Sequence, residues 1–153
     1  MKMKTRIHAA AGAVALITVS AFWLSTATVE LLGDTAAITM VKNSVLVGMA
    51  VLIPAMIIAG ASGFSLGKGW KSPVVARKKW RMRIIAANGL LVLVPSAFLL
   101  SSLATAGRFD SLFTIVQAIE LVAGATNIAL LSLNMRDGLS LRRKPVRLAA
   151  RAR

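Results

Sequence analysis

Four apolar runs of about 22–23 residues constrain this chain more than anything else in it. They cover 7–29, 44–66, 84–106 and 112–133. At about 1.5 Å of rise per residue, a helix of that length crosses about 30 Å of hydrocarbon. Lipid offers the backbone no hydrogen bonds, so such runs must be helices that satisfy their own peptide groups. With 57% of 153 residues hydrophobic and only 16% charged, the chain is too apolar for an ordinary soluble domain. The expected fold is an all-α membrane protein, a four-transmembrane-helix antiparallel bundle over 1–135, followed by a basic cytoplasmic tail over 136–153.

The net charge of +14 would suggest nucleic acid if it were spread over a soluble surface, but it is one-sided. Lys2, Lys4 and Arg6 precede the first run, and Lys68, Lys71, Arg77, Lys78, Lys79, Arg81 and Arg83 lie between the second and third. Arg136, Arg142, Arg143, Lys144, Arg147, Arg151 and Arg153 follow the fourth. Lys42 and Arg108 are the only bases on the other side, where Glu30, Asp34 and Asp110 accompany them. The positive-inside rule then places both termini and the middle loop in the cytoplasm of a cell whose inner (plasma) membrane the chain spans. Arg77, Lys78, Lys79, Arg81, Arg83, Arg142, Arg143 and Lys144 are expected to meet anionic lipid headgroups, and no nucleic-acid partner is expected.

The fourth run carries the one acid deep in an apolar stretch. At about 100° per residue, Gln117, Glu120, Gly124, Asn127, Leu131 and Asn134 share one face of a helix, a polar and small seam on an otherwise greasy surface. The turn between the third and fourth runs, Gly107 to Ser111, is so short that those helices must be antiparallel neighbours. Asn88 then lies about 6 Å and Asn127 about 9–10 Å from the cytoplasmic ends of their spans, within hydrogen-bonding range of one another. Glu120 lies about 12 Å in from the outer end, level with Ser20 and near Ser101, either of which would satisfy it. Buried there, it is expected to be protonated and hydrogen-bonded. Lys42 is expected to snorkel towards the headgroups, with a sharper alternative that pairs it with Glu30 or with the Gln117/Glu120 face.

Local signals add detail. The first run is too long for the core of a signal peptide and reads as an uncleaved anchor, with Trp23 and, further on, Trp70 and Trp80 as interfacial anchors. Ala9 to Ala13, and Ala59, Gly60, Gly63 and Gly67, offer small surfaces for close helix packing. Pro54 and Pro95 each remove a backbone donor, freeing the carbonyls of Ala50 and Leu91, so kinked second and third helices are expected. Each proline ends a similar segment, Gly48 to Pro54 and Gly89 to Pro95, in spans that run in opposite directions, the pattern of an inverted repeat. Asp34, Ser72 and Asp110 are placed to cap the helices that follow them.

No cysteine is present, which excludes disulfides, thiolate metal sites and cysteine nucleophiles. His8 is the only histidine, so a haem held by two histidines would need two copies of the chain. No phosphate loop, metal cluster or nucleophile with an adjacent base appears, and no enzyme is expected. The pattern fits a scaffold, accessory or assembly subunit, meeting a membrane partner or a second copy through the seam of the fourth helix. The alternative is an oligomeric proton- or ion-coupled transporter or channel using Gln117, Glu120, Asn127, Asn88 and Ser20. A redox subunit carrying haem or quinone is a third class, recognisable by colour.

Overall fold

The structure, a computed structural model, describes residues 2–69 and 72–151, with side chains described over 3–69 and 72–140. The described residues form α1 (Lys2–Leu32), α2 (Thr35–Leu66), α3 (Pro73–Asn88), a π-helical segment (Gly89–Leu93), α4 (Val94–Thr105) and α5 (Ser111–Arg151). The π-helical segment joins α3 and α4 into one continuous rod. Four helical rods result, each long and apolar enough to cross a membrane. All exceed the runs expected from the sequence: α1 has 31 residues and α2 has 32, about 46–48 Å at the usual rise. Hydropathy marks the length that lipid covers, whereas hydrogen bonding carries each helix on into the polar layer.

Neighbours are antiparallel. α1 packs along α2 and against α5, α4 packs on α2 and α5, and α3 packs on α5. Three apolar clusters stack from the base-poor end, outer in the expected topology, to the basic, inner end. Leu100, Leu103, Ala104 and Phe113 close the outer end, Val45, Met49 and Ala97 fill the middle, and Val19, Ile85 and Leu131 the inner half.

The caps fall where the sequence places them. Asp34 accepts the Ala37 N–H at 2.8 Å and Asp110 accepts that of Phe113 at 3.2 Å, while Ser72 occupies the N-cap position ahead of Pro73 without a side-chain cap bond. The small residues divide. Ala11, Ala15 and Ala59 are buried, and Gly63 lies against the His8 ring, but Gly12 and Gly60 face open space.

The two proline segments differ in structure. α2 is helical through Pro54, whereas ahead of Pro95 the Val94 N–H reaches back to the Gly89 carbonyl, five residues away, forming a π turn. Inserting one residue in this way re-routes backbone bonds around the proline's missing donor and re-aims the side chains that follow. At the C-terminal end α5 runs on through Gly138 and Pro145 into the basic stretch, as far as Arg151. Contact with α3 beyond the apolar core, including an Arg81–Asp137 ion pair at 2.7 Å, holds the start of that extension.

Candidate functional site

The seam on α5 turns inward. Gln117, Gly124, Asn127, Leu131 and Asn134 are buried, and the Glu120 side chain is only 13% exposed. Its inner half is hydrogen-bonded around Asn127, whereas Asn134, further along, is buried with neither amide atom partnered. Asn88 donates to Asn127 Oδ1 at 2.8 Å and to the Ala123 carbonyl at 2.9 Å, while Asn127 donates to the Ile85 carbonyl at 3.4 Å. Each amide thus links α3 to α5 at the level where the short outer turn registers them.

The outer half holds charge. Lys42, seven residues into α2, donates from Nζ to Glu120 Oε2 at 2.6 Å, and its side chain is 1% exposed. The expected snorkelling lysine is therefore a fully buried one, and Glu120 takes an ammonium rather than Ser20 or Ser101. The reason is facial: Lys42, Val45 and Met49 share the side of α2 that packs into the bundle. Ser20 is half-buried on α1, outside this contact, and Ser101 donates instead to Asn43 Oδ1 at 2.5 Å. Glu30, near the outer end of α1, lies within electrostatic reach of both Lys42 and Glu120, and its Oε1 is buried with no hydrogen-bond partner. The Gln117 amide, one turn outward of Glu120, is likewise buried with neither polar atom partnered.

Below the ion pair lies a cavity of about 50 Å³ bordered by Glu120, Thr26, Phe22, Trp23, Met49 and Gly124. It has room for a few water molecules, far less than the roughly 300–1,000 Å³ of a small-molecule site. Trp23, expected at the interface, turns in instead. Its ring lies on Gly124, where a side chain would meet it, and its indole N–H donates to the Leu121 carbonyl at 2.8 Å. Asn43 and Trp23 are the site's residues that the sequence pattern passes over, while Lys42 takes the alternative to snorkelling, the pairing with Glu120. Because α2 is apolar on every side, its spacing alone does not turn Lys42 inward.

At the inner end His8 reaches α2, its Nδ1 at 3.1 Å from both the Ala59 carbonyl and Ser62 Oγ. The basic collar splits into two kinds. Lys79 donates to the Gly67 carbonyl and sits over the Phe64 ring, and Arg81 is held by Asp137. Arg77, Arg83 and Trp80 are exposed, and Lys78 is half-buried. Arg142, Arg143, Lys144 and Trp70 lie outside the described side chains.

Four apolar helices enclosing a polar axis define a multi-pass membrane protein of the helical-bundle class. Set against known protein families, curated proteins and solved structures, the chain matches none.

Proposed function

We propose that the chain is an accessory or scaffold subunit of the cell's inner membrane, without an enzymatic activity of its own. Both termini are cytoplasmic, and the second and third spans bend at Pro54 and Pro95. The supporting observation is that the seam of α5 lies within its own bundle and the cavity beside Glu120 admits only water-sized molecules. The seam therefore holds one arrangement of helices, and a membrane partner or a second copy meets the apolar outer faces. Purification in mild detergent, with the mass of the particle measured by light scattering, tests this. A particle containing a second polypeptide or several copies is expected, and a lone 153-residue monomer overturns it.

The Lys42–Glu120 pair favours a second reading, proton or ion coupling through Glu120 in an oligomer. Buried charge pairs seldom stabilise a fold more than apolar packing of the same volume, and intramembrane ionisable groups mark ion pathways. In proteoliposomes, Glu120→Gln abolishes pH-driven flux on this reading. Unchanged flux removes it.

A further inference from the structure

We infer that Glu30, Lys42 and Glu120 form a site that binds one exchangeable proton, with the Lys42 ammonium as the switch that decides which carboxylate carries it. The site rests on the coupling reading only for its use, not for its existence.

The argument is one of charge balance in a medium that tolerates little net charge. Glu120 pairs with the one ammonium and Glu30 lies within electrostatic reach of both, so the cluster is neutral only when it holds one further positive charge. α3 and α4 bring no titratable group to it. α4 contains none, and those of α3 cluster at the opposite, inner end. Outside it, Arg108 is taken by Asp110 in the outer turn and Asp34 by the cap of α2. The missing charge also leaves a trace in the hydrogen bonding. Glu30 Oε1 is buried and accepts nothing, and Gln117, 4% exposed and on the same face of α5 as Glu120, has both amide atoms free. A proton on either carboxylate supplies a donor where only acceptors and an idle amide now stand.

With Lys42 on Glu120, as observed, the proton belongs to Glu30, nearer the outer end of the bundle. When Glu30 releases it, the new carboxylate attracts the Lys42 ammonium. Glu120, left without its partner, then takes up that same proton. One O–H bond breaks, another forms, and the ammonium stays charged throughout. The step carries a proton from the outer rim towards mid-membrane without leaving net charge behind.

Infrared difference spectroscopy on the full chain in lipid nanodiscs tests this at equilibrium, with no gradient. The carbonyl stretch of a protonated carboxyl counts the bound protons. At neutral pH the unsubstituted protein is expected to show one such band. Glu30→Gln and Glu120→Gln each abolish it, because one carboxylate and one ammonium already balance. Lys42→Met doubles it, because two carboxyls then lack a countercharge. A band that survives either glutamine substitution, or no band at all in the unsubstituted protein, overturns the proposal. Glu30→Gln, close to a helix end, carries the test even if Lys42→Met does not fold. A band without flux in proteoliposomes keeps the shared proton and ends the coupling reading, whereas flux without a band does the reverse.

Discussion

At the scale of single residues, burial turns Lys42 from a surface anchor into the most consequential side chain in the chain. Its side chain is 1% exposed and that of its partner 13%, so removing one of the two leaves the other uncompensated in a low-dielectric interior. Glu120→Leu is therefore expected to destabilise the bundle by about 3–5 kcal/mol, whereas Lys42→Met combined with Glu120→Leu costs far less than the single change. Denaturation of the four variants in a defined detergent, read as a double-mutant cycle, measures the coupling. Additive effects would mean that the pair contributes nothing to folding. The Asn88–Asn127 network is different in kind, since its members are neutral and each bond of this type is worth only about 0.6 kcal/mol in a membrane. Its value lies in register, because the amides meet only when α3 and α5 sit at one relative height.

At the scale of elements, close approach depends on what small residues leave room for. A side chain at Gly48 would overlap the Phe22 ring, so Gly48→Ala is expected to cost about 1–3 kcal/mol and to be rescued by Phe22→Leu. Thermal unfolding of both variants checks this, and a lack of rescue would place the strain elsewhere. The start of α5 is governed by Asp110. The Arg108 guanidinium, then the Phe113 N–H, hold this carboxyl below the usual carboxylate range. Its folded value is depressed, so its contribution is full above the unfolded value and is lost as pH falls through the folded one. Asp110→Asn should flatten the acid limb of stability against pH, followed by the same unfolding signal. These elements also show what sequence makes legible. The Asn88–Asn127 contact follows from a turn too short to let two helices slip. The Lys42–Glu120 contact does not, because α2 is apolar all round and nothing in its pattern says which face turns inward. Trp23 escapes for a related reason: an indole at the end of a span satisfies its N–H equally well at the headgroups or on a neighbouring carbonyl.

At the scale of the whole molecule, the charge asymmetry and the internal charge cluster belong to one arrangement. Glu30 and Lys42 lie towards the rim that carries few bases, whereas His8, Lys79 and Arg81 are engaged at the opposite, basic end. If the basic end is cytoplasmic, the carboxylate nearer the rim faces the outside, and the direction of any proton movement through the bundle follows from the topology. Orientation can be read cleanly because the chain contains no cysteine, so each substitution introduces a single label. Leu32→Cys, at a position 85% exposed beside the first outer turn, should react with a membrane-impermeant thiol reagent on sealed right-side-out vesicles. Arg77→Cys, exposed near the start of α3, should react only after the vesicles are opened. Neither change touches a buried contact, so both proteins should fold and differ only in which compartment they report. The reverse pattern would put the basic collar outside, against the charge rule, and would turn the polar cluster towards the cytoplasm. Equal labelling of both in sealed vesicles would instead mean that the chain inserts in two orientations.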